Sequence, residues 1–268
     1  MICFVNLFYM FAFKWINRYY YRMRYLCLFF VVLLSGCVSG VYHMPDDFVH
    51  RDIHTSQYDI FTYVRITDDS APIRIYVEGD GNSFDIHGRP THDPTPRGTL
   101  VRDWVAKDTS PNVVYLARPC QYVMSASCTV SDWTSGRFSS RIIASVADAI
   151  IQIAQNRPVI LIGYSGGALV SGLVINNYPQ INVQKWITVA GVLNHTDWTS
   201  YFGDSPLTES LDMTDLPRVP QTHLIAEHDT IVPISLSKRW TCDSGDVNVI
   251  PNATHNKIPY EYILKSTD

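Results

Sequence analysis

A doubly wound α/β fold, with a mostly parallel sheet and helices on both of its faces, is predicted by three observations. Short β-branched apolar runs alternate with segments of helical apolar spacing from residue 60 to the C-terminus. One of these runs, Val159–Ile162, breaks into Gly163-Tyr164-Ser165-Gly166-Gly167 and is followed by apolar residues at helical spacing. The chain has 268 residues, 46% of them hydrophobic, which is enough for one sizeable core.

The elements follow in order. Residues 41–58 read as a polar leader onto the domain, which is placed at 58–268. Strand-like runs occupy Ile60–Ile66 and Ile73–Glu78, separated by the turn Asp68-Asp69-Ser70-Ala71-Pro72. Gly79–Thr95, rich in Gly, Asp and Pro, is a loop. Leu100, Val101, Trp104 and Val105 have helical spacing after Pro96, and Val113–Ala117 is a short buried strand. Arg118–Gly136 is a second long loop, and Ile142, Ile143, Val146, Ile150 and Ile153 give one apolar face of a helix. After the elbow strand and its helix, which stops at Tyr178-Pro179, come a strand at Trp186–Val189 and an irregular polar stretch at Val192–Pro220. A strand at Thr222–Ala226, a short helix at Ile234–Trp240, a strand at Val247–Ile250 and a closing helix at Pro259–Lys265 complete the chain. Little room is left for a cap domain.

In open parallel sheets ligands bind beyond the C-terminal strand ends, which is where Ser165 falls. G-x-S-x-G between a buried strand and a helix is the pattern of a turn that holds a serine hydroxyl out at the sheet edge. A serine hydroxyl needs a base to remove its proton, and the base is usually a histidine held in one tautomer by a carboxylate. On strand–turn–helix scaffolds of this kind the order along the chain is Ser, acid, His. Asp229 sits just past the Thr222–Ala226 strand, and the only histidine after it is His255, past the last strand. Asp197, after the preceding strand, is the rival acid. His195 and His228 read as surface or supporting residues.

An oxyanion formed at the attacked carbonyl needs two backbone N–H donors. Gly166 supplies one, and Asp80 or Gly81, in the loop Glu78-Gly79-Asp80-Gly81-Asn82, supplies the other. The aromatics Tyr122, Trp133, Trp198, Tyr201 and Phe202 are candidates to line an acyl site. No C-x-x-C or Cys/His pattern points to a metal, and the constellation calls for no cofactor. A net charge of -4, with no run of like charges, gives no argument for a nucleic-acid partner.

From about Tyr58 to the C-terminus the chain resembles the serine α/β-hydrolases, and more narrowly the small lipoprotein-type bacterial ones. The narrower resemblance rests on Tyr76-Val77-Glu78-Gly79-Asp80-Gly81, Leu116-Ala117-Arg118-Pro119-Cys120-Gln121-Tyr122, Trp133-Thr134-Ser135-Gly136-Arg137-Phe138, the elbow at Gly163–Gly167 and Pro206-Leu207-Thr208-Glu209-Ser210-Leu211. It implies the fold and a Ser165–His255–Asp229 triad acting on an ester or thioester, but no particular substrate. A peptidase or amidase with the same triad, and a non-catalytic envelope lipoprotein on the same scaffold, remain the alternatives.

The N-terminus carries a different signal. Lys14, Arg18, Arg22 and Arg24 precede the apolar run Leu26–Leu34, which is shorter than the roughly 20 residues a spanning helix needs. Small residues follow, so residues 1–36 read as a secretory signal peptide, with Met23 a second candidate start. Leu34-Ser35-Gly36-Cys37 resembles the lipobox of bacterial lipoproteins, which implies cleavage before Cys37, its acylation, and a tether at 37–57. Val38 in the next position resembles outer-membrane sorting, so the expected location is the envelope, lipid-anchored and facing the periplasm. An exported protein meets an oxidising compartment, so Cys120 and Cys128 are expected to pair across a short loop and Cys242 to stay free.

Overall fold

The computed structural model describes residues 42–241 and 245–267. The expectations for the signal peptide, Met23, Cys37 and Cys242 fall outside those residues. Eight strands make one sheet: β1 (Val49–His54), β2 (Asp59–Ile66), β3 (Ile73–Val77), β4 (Asn112–Leu116), β5 (Val159–Tyr164), β6 (Val183–Val189), β7 (Gln221–Ala226) and β8 (Asp246–Ile250). Their spatial order is β1-β2-β4-β3-β5-β6-β7-β8. β2 is antiparallel to both its neighbours, and every pairing from β4–β3 to β7–β8 is parallel. The connections carry helices α1 (Leu100–Lys107), α2 (Ser140–Ala154), α3 (Gly166–Asn177), α4 (His195–Phe202), α5 (Ile234–Thr241) and α6 (Tyr260–Thr267).

Successive strand residues face opposite sides of a sheet, so a strand buried at every position is covered on both. All of β4 and all of β5 are buried, as their unbroken apolar runs demand. α2 buries the face Ile142, Ile143, Val146, Ile150 and Ile153 that its spacing marks out. It ends where Gln155 and Asn156 turn left-handed, at φ 50 and 70. α3 is buried through Gly166–Val174, so it is a core helix rather than an amphipathic surface one.

The parallel registers bring the strand ends into line. Val77 pairs with Gly163, Tyr164 with Val189, Val189 with Leu224, and Ala226 with Ile250. The loops leaving β3, β5, β7 and β8 therefore open on one edge, and they carry Asp80, Ser165, Asp229 and His255 in turn.

Two segments differ from the sequence expectation. Residues 41–58 are not only a leader: Val49–His54 forms β1, paired with β2 from Val49↔Val64 to His54↔Asp59. Met44 and Phe48 are buried, so the compact unit begins at Met44 rather than at 58. β1 has a neighbour on one side only and carries His50, Arg51, Asp52 and His54, a charged edge whose apolar alternation is too weak to read. Val192–Pro220 is not wholly irregular, because it contains α4. That helix is fixed at its start by side chains: Asn194 Oδ1 accepts from the Asp197 N–H at 2.7 Å, and Asp212 accepts from the N–H groups of His195 and Thr196 at 3.0 Å each. Its composition, His-Thr-Asp-Trp-Thr-Ser-Tyr-Phe, is poor in strong helix formers, which hides it from periodicity. Cys120 and Cys128 form the expected disulfide, with Cα atoms 5.9 Å apart.

Candidate active site

Ser165 sits between β5 and α3 in a backbone conformation, φ 51 and ψ -123, that a side chain adopts only when the surroundings enforce it. Such a conformation costs about 1–3 kcal/mol. The turn is held on both sides of the serine. Its N–H donates to Val189 O at 3.0 Å, and its carbonyl accepts from Ala168 and Val192 at 3.1 and 3.0 Å. The flanking glycines are forced by close approach. A Cβ at Gly163 would lie 2.5 Å from Gly167 O, and one at Gly167 would lie 2.4 Å from Val77 O. The strand, the turn and the helix can close up this tightly only without those side chains.

His255 reaches the serine from the loop after β8. Its Nε2 lies 3.0 Å from Ser165 Oγ, and its Nδ1 lies 2.8 Å from Asp229 Oδ2. The Tyr164 hydroxyl donates to the His255 carbonyl at 3.0 Å, so the residue before the serine fixes the loop that carries the histidine. Asp229 follows β7. Its Oδ1 accepts the N–H groups of Ile231 and Val232 at 2.8 Å each, which aims Oδ2 at the imidazole. All three residues are shielded, at 9% exposure for Ser165, 6% for His255 and 7% for Asp229. With the proton on Nδ1, shared with Asp229, Nε2 is left to accept the serine hydroxyl proton. The rival acid goes elsewhere: Asp197 accepts from Trp240 Nε1 at 2.8 Å and lies 3.3 Å from Arg239. His228 is exposed, 3.7 Å from Glu227.

A second cluster lies on the other side of the serine. A Cβ at Gly79 would stand 3.1 Å from Ser165 Cβ, so the loop after β3 runs against the serine itself. The Gly79 N–H is taken by Glu78 Oε1 at 3.0 Å, and its carbonyl accepts from Gln121 Nε2 at 3.0 Å. The two sequence candidates that follow are placed differently. Asp80 adjoins the residue after the serine, with Oδ1 2.1 Å from where a Gly166 Cβ would be. Gly81 takes the left-handed φ of +66, where a Cβ would lie 2.2 Å from Pro94 O and 2.7 Å from Gln121 Nε2.

The Asp80 carboxylate, 24% exposed, is gripped by Arg118 Nη1 at 3.1 Å and Arg137 Nη1 at 2.8 Å. Burial pushes its pKa up, but Arg137 and Arg118 outweigh burial and hold the carboxyl below its ordinary range. Glu78, fully enclosed beside it, goes the other way. Burial raises it more than the Gly79 N–H, the Tyr115 hydroxyl and the neighbouring arginines lower it. Burial likewise lowers Arg118, against the pull of Asp80. Arg118 comes from the turn that the Cys120–Cys128 disulfide closes, where its N–H donates to Gln121 Oε1 at 3.0 Å. It also donates to the carbonyl of Arg137.

Between the two clusters opens a cavity of about 440 Å³, lined by Ser165 and His255 and walled by Phe84, Phe138, Trp198, Leu207 and Ile231. Of the aromatics singled out from sequence, Trp198 alone is among its lining residues. Tyr122 stacks on Phe61 with ring centres 4.5 Å apart. Trp133 is buried and donates to Thr91 O at 3.1 Å. Tyr201 and Phe202 lie exposed on α4. Arg118 and Arg137 were not read as site residues, since each arrives from a loop whose path no local pattern reveals, and His195, expected at the surface or in support, is buried at the start of α4 and lines the cavity. Among the described residues, no group of three or more His, Cys, Asp or Glu could hold a metal ion.

No protein-family model and no curated protein matches the sequence. Solved structures do match in fold. A serine hydrolase of the polyaromatic-hydrocarbon-degrading bacterium Cycloclasticus zankles superposes with a TM-score of 0.55 at 11% identity, over 82% of this chain and 95% of that one. A serine hydrolase without a lid from Xanthomonas campestris gives 0.50 at 14% identity, over 81% and 89%. A membrane phospholipase A described as a bacterial virulence factor gives 0.56 at 12% identity, over 83% and 86%. The shared architecture is the α/β-hydrolase fold.

Proposed function

We propose that this protein of the α/β-hydrolase fold is a serine hydrolase that cleaves an ester or thioester through an acyl-enzyme, with Ser165 as nucleophile, His255 as base and Asp229 as its orienting acid. The observation that carries this reading is the hydrogen-bonded chain from Ser165 Oγ through His255 to Asp229, on a turn strained to present the serine. In the first half-reaction Ser165 Oγ bonds to the acyl carbon while its proton passes to His255 Nε2. His255 then gives that proton to the leaving oxygen or sulfur as the bond to it breaks. Water, deprotonated by the same Nε2, releases the acid and restores Ser165. The negative charge that develops on the carbonyl oxygen is received by the backbone N–H groups of Gly166 and Asp80. Gly81, which lines the same cavity, is the alternative donor to Asp80.

The sequence signals at the N-terminus extend the proposal. Cys37 is acylated after removal of residues 1–36, and the enzyme works at the cell envelope, held there by lipid rather than by a spanning helix. Incorporation of a fatty-acid analogue into the wild type but not into Cys37→Ala is the expected result. Unlabelled, freely soluble wild-type protein would overturn the anchor. For the chemistry, kcat/KM is to be measured on p-nitrophenyl esters of several chain lengths beside matched anilides. Ester turnover that disappears in Ser165→Ala is expected. Turnover of the anilides alone would move the reading to an amidase or peptidase, and turnover undiminished in Ser165→Ala would overturn it.

A further inference from the structure

One wall of the cavity is polar in a way that the proposed hydrolysis does not use. His195, the first residue of α4, lines the cavity at 5% exposure, stacked on Phe138 with ring centres 5.9 Å apart. Neither of its ring nitrogens has a hydrogen-bond partner. The nearest carboxylate oxygen, Asp212 Oδ2, lies 3.7 Å from Nε2, beyond hydrogen-bond reach, and Asp212 is engaged by the N–H groups of His195, Thr196 and Met213. A buried polar group left unpaired is costly, and native proteins keep few of them without a use.

Arg137 lines the same cavity. Its Nε donates to Thr134 O at 2.9 Å and its Nη1 to Asp80 at 2.8 Å, which leaves Nη2 without a hydrogen bond among the described residues. The guanidinium lies 6.0 Å from the ring of Trp198, three residues after His195 and so on the same face of α4. Phe138, next to Arg137 in the chain, bears on His195. The two polar groups thus share a wall. Asp80, an acid of the same wall, is already paired with Arg137 and with Arg118, and the exposed Arg97 adds a further cation to the lining. Glu78, the other acid there, is already occupied by Gly79 N–H and the Tyr115 hydroxyl.

We propose that Arg137 and His195 form a subsite for an anionic oxygen group, carboxylate or phosphate, on the part of the substrate remote from the scissile carbonyl. This rests on the hydrolase reading above and narrows its substrate class. A guanidinium with a free N–H and an unpaired imidazole are the donors that such a group takes as charge-assisted hydrogen bonds. A plain hydrocarbon chain in the same place would leave both unsatisfied.

The test compares mono-p-nitrophenyl glutarate with p-nitrophenyl butyrate, and measures inhibition of butyrate-ester hydrolysis by glutarate, butyl phosphate and, as the uncharged control, butyramide. The wild type is expected to prefer the carboxylated ester in kcat/KM by about tenfold, or to be inhibited by butyl phosphate at concentrations where butyramide is silent. The first result assigns the subsite to a carboxylate and the second to a phosphate. In His195→Phe, which keeps the ring and removes the donors, the preference or the inhibition is expected to fall toward that of the uncharged compound. Both esters are read on the same sample, so the ratio does not depend on how much of the variant folds. A wild type that turns over the butyrate ester but shows neither preference nor anion inhibition overturns the subsite, as does a ratio that His195→Phe leaves unchanged. A wild type that turns over neither ester overturns the ester-hydrolase reading instead.

Discussion

Two polar clusters flank the same serine and are held together by opposite means. On one side Ser165, His255 and Asp229 are each fixed by their own backbone surroundings: the strained turn for the serine, the Tyr164 hydroxyl for the histidine loop, and the N–H groups of Ile231 and Val232 for the aspartate. On the other side Asp80, Arg118 and Arg137 hold one another, and full charges supply the grip. Under the proposed mechanism, deleting a member of the first cluster removes chemistry and leaves a fold whose anchors are elsewhere. Deleting a member of the second strands a shielded charge. The first cluster is therefore expected to separate activity from stability, and the second to join them.

The largest expected effect lies on the first side. Ser165→Ala and His255→Ala should each lower kcat/KM on a small ester roughly 10⁶-fold, and the double variant little further, because the residues act as a unit. Asp229→Asn should lose roughly 10⁴-fold, since the imidazole survives in a less favourable tautomer. Melting temperatures of the three single variants should stay near that of the wild type. A large drop in melting temperature with Ser165→Ala would break the contrast.

On the second side Asp80→Ala should cost about 3 kcal/mol in denaturant unfolding, since it leaves Arg118 and Arg137 without their shared counter-charge. That corresponds to roughly 6–12 °C in melting temperature for a domain of this size. The two neighbouring acids sharpen the point, because their pKa values move in opposite directions. Asp80 is depressed in the folded state, so its contribution is present above the unfolded carboxylate pKa of about 3.9 and is lost as pH falls through the folded value. Glu78 is raised, so the folded state binds its proton more tightly. Relative to Glu78→Gln, the wild type should lose stability as pH rises from about 4.3 toward the folded pKa. Unfolding free energies of wild type, Asp80→Asn and Glu78→Gln between pH 3 and 7 check both signs.

The Cys120–Cys128 link closes the turn that presents Arg118 and Gln121, so it belongs to the second cluster's support. By loop closure its loss in Cys128→Ser should cost about 2–3 kcal/mol, with the wild type equally affected by reductant. The smallest expected effect is Asp197→Asn, which should change kcat/KM on the ester by less than about twofold, since its carboxylate serves Trp240 and Arg239 rather than His255. A crippled Asp197→Asn beside an active Asp229→Asn would reverse the assignment of the acid.

The same contrast explains how much of the molecule was legible in the chain. Ser165 and Asp229 each follow a strand whose apolar run is plain, His255 is the only histidine after Asp229, and the parallel registers do the rest by aligning the strand ends. The order of the elements and the Asp80 loop come through for the same reason, while the disulfide was legible from the short Cys120–Cys128 spacing in a chain read as exported. Arg118, Arg137 and His195 sit on loops and on a helix set by side-chain caps, so their meeting depends on tertiary paths that periodicity does not encode. β1 escaped because an edge strand has no need of an apolar face on its outer side, and its charges mask the alternation. Asp80 was read for its backbone N–H alone, and the role of its carboxylate as the pivot of two arginines shows only when the three loops are brought together.

The most direct test of the central proposal is covalent labelling with a fluorophosphonate, mapped by peptide mass spectrometry. One adduct per chain, on the peptide carrying Ser165, is expected in the wild type. It should be absent in Ser165→Ala and strongly slowed in His255→Ala. An unlabelled wild type, or a label that persists in Ser165→Ala, would contradict the proposed mechanism.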